Sequence, residues 1–474
     1  MLRRIQGAWV AMGSNRTYQL VILAFITAIA AGLRFYKLGE WGFWGDEYIT
    51  VRKALDVFGG GITRQSPFML STHLVLNSLG VSEWSARLVS TIVGIITIPI
   101  FFLLVKRLFD VHVAVIAALF LAIAPWHIYW SQNARFYTTM LLFYTAALLF
   151  FHWALEENRR SFMIVSLLFF GLAAFERLLA GFLVPIFIGY IILLKTGRFS
   201  LPKGLNWRNL AIYFVPGLIG VVGIVLATPT FQDAERAARS FGFTNANPFW
   251  IVSGVLYYVG IPFVCMSLFG AFSLILQRNR IGLLLSVAAT VPTAVLMITS
   301  LIQYTANRYA FVSLTAIIIL AAYAVNELLI QMPSEGKIFA VGAFVILLAV
   351  SVSDNVLYYQ FQHGNRDNWK DAFALVSSQY QEGDQIITAN RALADYYLGK
   401  ETLGMQSVEV VGLETILDDA ERTWFVIDVT AVGKGPTSTR WAQEHAHFMG
   451  SFDVNISART FPMAVYLYDA GVQE

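Results

Sequence analysis

About eleven apolar spans, read with windows of roughly 18–22 residues, the length that crosses the hydrocarbon core of a bilayer, dominate this chain. They fall near 18–35, 84–105, 111–129, 138–155, 162–176, 178–195, 211–228, 250–276, 281–302, 309–330 and 338–355. With 57% hydrophobic and 13% charged residues among 474, and a mean hydropathy of +0.62, a soluble domain cannot hide this much apolar surface. The expected fold is mainly α, a polytopic membrane protein. Arg3, Arg4 and Arg16 precede the first window, and Ala28-Ile29-Ala30 resembles a signal-peptidase site. An uncleaved first span is nevertheless expected, because cleavage would untether the loop that follows it.

The connecting loops sort by charge. Arg3/Arg4/Arg16, Lys106/Arg107, Arg159/Arg160, Lys195/Arg198/Lys203/Arg208, Arg278/Arg280 and Lys337 fall on one side, which the positive-inside rule assigns to the cytoplasm. Residues 36–83, 129–137, 176–177, 229–249, 303–308 and everything after about 356 then fall outside. The N-terminus is expected in the cytoplasm and the C-terminal part outside the cell membrane. In the first outer loop, Glu47–Phe58 and Phe68–Leu79 have helical apolar spacing but are too short to span, so they are expected to lie along the interface. The polar loop 229–249 has the size of a mobile cover.

From about 360 the composition changes. Asp367–Gln381 reads as an amphipathic helix and Asp384–Ala389, Thr423–Val429 and Met463–Tyr468 as strands, with helical stretches near 412–421 and 436–448 between them. The chain therefore divides into a transmembrane domain, 1–355, and a small extracytoplasmic α/β domain, 356–474. The net charge of +3 is too small to suggest nucleic acid, and the single Cys265 offers no disulfide or thiolate metal cluster.

The stretch Gly42–Tyr48 sets two carboxylates, Asp46 and Glu47, among aromatic side chains directly after the first span. Such rings sit at the membrane–water boundary, where a carboxylate is costly unless something uses it. Other outer loops supply cations: Arg135 within Ser131–Tyr137, Arg177 after Glu176, and Arg308 before Tyr309. Taken singly, each arginine reads as snorkelling to a headgroup or pairing locally. Three on the face of one acidic loop suggest a lipid-linked phosphate beside a carboxylate, because the guanidinium fork suits phosphate oxygens.

Phe43-Trp44-Gly45-Asp46-Glu47, Ser66-Pro67-Phe68 with His73, Glu83…Arg87-Leu88 and Ser131-Gln132-Asn133-Ala134-Arg135-Phe136-Tyr137 follow in an order that resembles the GT-C membrane glycosyltransferases. The similarity is to the protein O-mannosyltransferase and aminoarabinose-transferase superfamily. The resemblance implies transfer of a sugar from a polyprenyl-phosphate donor to a lipid, glycan or protein acceptor on the outer face, with inversion. Asp46 would be the general base and Glu47 would orient it or the acceptor. Arg135, Arg177, Arg308 and Tyr309 would hold the donor phosphate, while His73, Gln132 and Tyr137 are substrate-pocket candidates. Where relatives usually carry His or Lys before the loop proline this chain has Ser66, and where many carry an acid it has Asn133. No Mg or Mn cofactor is therefore firmly implied, and His73 and His127 read as hydrogen-bonding residues rather than metal ligands.

A transporter or lipid flippase is the alternative, with the same arginines guiding a phospholipid. It should place ionisable groups near the bilayer midplane on broken helices, whereas Asp46, Arg135 and Arg308 fall at span ends. A scaffold that merely presents the C-terminal domain leaves the acid and the arginines unexplained.

Overall fold

A computed structural model describes residues 15–59, 61–227, 247–331, 337–417, 420–456 and 459–472. The expected cover at 229–249 lies almost wholly outside the described residues, as do Arg3 and Arg4. A helix occupies each of the eleven apolar windows. Among the described residues seven helices are long and apolar enough to cross a membrane unbroken, or up to nine if each of two bent pairs is one span. Arg160–Glu176 and Trp207–Ala227 occupy the remaining windows. The protein is a multi-pass membrane protein.

Local chemistry sets the helix limits. Asn15 accepts from the Thr17 and Tyr18 N–H groups to open Arg16–Phe35, and Ser82 with Ser85 forms a capping box before Glu83–Leu108. The spans expected at 111–129 and 250–276 are each bent. Val111–Ile123 bends by 58° into Pro125–Ser131, because the residue before a proline is driven out of the helical region. Phe249–Val259 turns by 98° into Ile261–Leu276 at Gly260, whose φ of 89° is open to glycine, with Pro262 just inside the next helix.

The basic loops gather at one end of the bundle. There Arg107 meets Glu157 at 2.6 Å, Arg280 pairs with Glu156, and Arg278 donates to the Gly197 carbonyl at 2.6 Å. At the other end lie loops 36–83, 131–137 and 303–308 together with the C-terminal region. Here a five-stranded sheet has the order β2-β1-β3-β7-β4, formed by β1 (Gln385–Thr388), β2 (Leu403–Gly404), β3 (Arg422–Asp428), β4 (His447–Ser451) and β7 (Met463–Asp469). β1 runs parallel to β2 and β3, and β7 is antiparallel to β3 and β4. A separate hairpin joins β5 (Val454–Ile456) to β6 (Arg459–Phe461).

The short helices Gly45–Leu55 and Pro67–Leu79 pack against the sheet region. Phe43, Val51, Ala54 and Leu76 share one apolar core with Phe373, Leu393 and Trp424 of the sheet region. Each large side chain buried there contributes roughly 1.5–3 kcal/mol. Polar ties reinforce the seam: the Phe43 N–H donates to the Tyr397 hydroxyl at 2.7 Å, which in turn donates to Glu83 at 2.8 Å. The sheet region is thus packed onto the loop that carries the two acids.

Candidate active site

Asp46 and Glu47 occupy the first turn of Gly45–Leu55, where the helix dipole favours negative charge. Neighbours on a helix point about 100° apart, so the two carboxylates face different surroundings. Glu47 turns inward and is fully enclosed. Arg87 grips it with Nε to Oε1 at 2.9 Å and Nη2 to Oε2 at 2.8 Å. The Ala134 N–H donates to Oε1 at 2.8 Å and Arg366 Nε to Oε2 at 3.3 Å. Burial alone would raise the Glu47 carboxyl, but Arg87, Arg366 and these hydrogen bonds hold it below its ordinary value. The same two arginines reach outward: Arg87 donates to the Leu38, Trp41 and Gly42 carbonyls, and Arg366 to those of Gln132 and Gly364. Glu47 therefore ties together the acidic loop, the 131–137 segment and the entry to the sheet region.

Asp46 faces the other way and is about one-third exposed, its Oδ2 lying 3.4 Å from Arg308 Nη2 and 3.5 Å from Arg135 Nη2. Arg135 is fixed from behind, with Nη1 donating to the Asp46 carbonyl and to Thr50 Oγ1, both at 3.0 Å. The Nε atoms of Arg135 and Arg308 are buried without a hydrogen-bond partner among the described residues. Arg308 lies 5.8 Å over the rings of Trp44 and Tyr309, and Arg135 and Arg177 approach the Phe136 ring at 5.2 and 5.4 Å. The Phe136 ring that Arg135 and Arg177 share lies against the Tyr137 ring, their centroids 4.5 Å apart. The structure thus brings Asp46, the three arginines, Tyr137 and Tyr309 into one neighbourhood.

His73 and Gln132 stand elsewhere. A ring nitrogen of His73 contacts the Ala54 carbonyl at 2.8 Å and its ring meets Phe58 edge-on, joining the two short helices. Gln132 is buried, donating to the carbonyls of Arg34 and Tyr36 and accepting from the Tyr358 hydroxyl at 2.8 Å. Neither lines the cavity that Arg308 faces. Ser66 donates to Glu176 at 2.7 Å, and Glu176 also accepts from the Phe68 N–H, capping Pro67–Leu79. Asn133 accepts from Trp44 Nε1 at 2.7 Å and so braces the aromatic wall. Among the described residues no three of His, Cys, Asp and Glu converge, and the charges facing Asp46 are guanidinium groups.

A cavity of about 570 Å³ opens where Trp44, Trp130, Asn307, Arg308, Asp367 and Arg459 meet. Asp46 does not line it directly; it reaches it through Arg308. A second cavity of about 610 Å³, lined by apolar groups such as Gly260, Ile261, Val350 and Leu357, adjoins the first along Trp126, Tyr129 and Tyr258. It lies at the sharp bend after Val259 and beside the last membrane helix. Arg87 stands in the sequence only within the family pattern, Asp367 only as the start of an amphipathic helix, and Arg366 carries no mark of its own. The only further signal for the last two was the change in composition near 360.

Residues 67–222 match the family model described as dolichyl-phosphate-mannose-protein mannosyltransferase. No curated protein is matched by the sequence. Among solved structures, ArnT from Cupriavidus metallidurans bound to undecaprenyl phosphate superposes with a TM-score of 0.60 at 13% identity, covering 96% of this chain and 98% of that one. Its apo form gives 0.59 at 14% identity, covering 95% and 98%. The apo oligosaccharyltransferase of Archaeoglobus fulgidus gives 0.60 at 12% identity, over 92% of this chain and 74% of that one. At such identities the likeness is one of fold.

Proposed function

We propose that this chain, which has the fold of the GT-C membrane glycosyltransferases, moves a sugar from a polyprenyl-phosphate carrier to an acceptor on the extracytoplasmic face, with inversion. The observation that carries this reading is the Asp46 carboxylate bracketed by Arg308 and Arg135, with Arg308 also lining an aromatic cavity. That ArnT is seen with undecaprenyl phosphate, and that the matching family model is described by a dolichyl-phosphate donor, both favour an isoprenoid-phosphate carrier. The apolar cavity at the Gly260 bend offers room for the first part of the prenyl chain.

In this mechanism the donor phosphate enters beside Arg308, and its oxygens compete with Asp46 for the guanidinium groups. Asp46, released from them, takes the proton from the acceptor hydroxyl as the acceptor oxygen bonds to the anomeric carbon. The bond from that carbon to the phosphate oxygen breaks, and its electron pair stays with the departing polyprenyl phosphate. Arg308, Arg135 and Arg177 offset the charge that grows there, and Tyr309 flanks Arg308. Glu47 is a positioning residue in this scheme, since protein donors occupy its oxygens and shield it from ligand.

The test is transfer itself. Purified full-length protein in lipid nanodiscs, given radiolabelled hexosyl and pentosyl phosphopolyprenols and a membrane extract as acceptor source, is expected to move label into a new product. Mass spectrometry of glycolipids and glycans from cells with and without the gene identifies that product. No transfer from any such donor, together with unchanged glycans, would overturn the reading.

A further inference from the structure

The junction between the last membrane helix and the sheet region is irregular. Lys337–Val356 runs into a π-helical turn, Leu357–Phe361, and then His363, Gly364 and Asn365 follow with φ of 47°, 61° and 53°. Three consecutive left-handed residues, two of them bearing a Cβ, persist only where the surroundings hold them, and both features cluster at functional sites. The hold is visible. A Cβ on Gly364 would come within 2.4 Å of the Trp41 ring, and Arg366 is locked by Glu47, Gln132 and Gly364 itself.

The result of this strained turn is the placement of Asp367 on the wall of the cavity that Arg308 also lines. Burial, with the nearby charge of Asp428, pushes its carboxyl up to about 6, and Trp369 donates to it. Arg308 and Arg459 line the same cavity. A carboxylate has about four acceptor sites, so most of this one's capacity is unspent by the protein. It repels phosphate, which Arg308 attracts, and it suits the donor hydroxyls of a sugar. Indole and phenol rings of Trp44, Trp130, Trp250 and Tyr257 wall the same space, a surface fitted to the C–H faces of a sugar ring.

We propose that Asp367 reads the sugar of the lipid-linked donor, its carboxylate accepting hydrogen bonds from sugar hydroxyls while Arg308 holds the phosphate. The assignment rests on the transferase reading and adds to it a specificity-determining residue contributed by the junction to the C-terminal region.

The experiment measures affinity of the full-length protein in nanodiscs for undecaprenyl phosphate and for mannosyl, glucosyl and arabinosyl phosphoundecaprenols. The wild type is expected to prefer at least one sugar-bearing lipid over the bare one. Asp367→Asn should cut that preference about 10-fold and leave affinity for the bare lipid within about twofold, as loss of a charged hydrogen bond predicts. Asp367→Glu should restore part of the preference. Arg308→Ala should weaken both kinds of lipid. An Asp367→Asn protein with the wild-type preference, or one that loses both lipids equally, overturns the assignment. So does a wild type that binds every lipid alike, which leaves the transferase reading standing. If the wild type binds none of these lipids, that reading falls first and the assignment with it.

Discussion

Both ends of the helix bundle carry arginine–carboxylate pairs, but the two sets stand in opposite surroundings. At the basic end, Arg107 and Glu157 are 43% and 33% exposed. At the site end, Arg87, Arg366 and Glu47 are all fully enclosed. Water and salt screen the first kind of pair, so it contributes little to stability. The second kind has already lost its hydration and depends on the geometry of its partners. The contrast shows what each end is for. The basic end presents its charges to water in number, whereas the site end holds particular charges in particular places. Between them, the exposed Asp46 and enclosed Glu47 show the same division within two adjacent residues.

The largest stability effect should come from breaking the enclosed cluster. Glu47→Gln or Arg87→Met leaves an uncompensated buried charge and should destabilise the protein by about 3–5 kcal/mol, read as a lowered midpoint of thermal unfolding. Glu47 is held below its ordinary value of 4.5, so its stabilisation is complete above that value and is lost as pH falls through the lowered, folded value. Wild type should therefore lose stability on acidification more steeply than Glu47→Gln. Next comes Arg308→Ala. It should weaken binding of undecaprenyl phosphate about 10–100-fold, the worth of one charged hydrogen bond, with little change in unfolding temperature. Smallest is Arg107→Ala at the opposite end, expected to change stability by about 1 kcal/mol or less and lipid-phosphate affinity not at all. If Arg107→Ala proved as damaging as Glu47→Gln, the contrast between the ends would disappear.

Much of this was legible in the sequence because the bilayer imposes simple demands. Lipid requires long apolar runs, and every expected window contains a helix. Arginines placed on the face away from the basic loops are conspicuous for the same reason; Arg135 and Arg308 flank Asp46, and Arg177 meets the Phe136 ring beside Arg135. What escaped notice depends on tertiary structure. The adjacency of Asp46 and Glu47 in the chain conceals their divergence in space. Arg366 meets Glu47 across 319 positions, and no local periodicity announces such a contact. Gln132 and His73 carry hydrogen-bonding groups that suit a substrate as well as a backbone carbonyl, and only the fold shows which they meet. The strands β4, β5 and β6 are short, and β4 is half exposed, so their apolar pattern is faint.

The most direct test is the rate of sugar transfer by Asp46→Asn at saturating lipid donor, measured in nanodiscs beside the wild type. Asn keeps the shape of the side chain and removes its basicity. The predicted result is a loss of about 10²–10⁴-fold in kcat, the usual contribution of a positioned general base, with wild-type unfolding temperature and with undecaprenyl phosphate bound at least as tightly as before. Transfer at an undiminished rate by that variant would contradict the role assigned to Asp46.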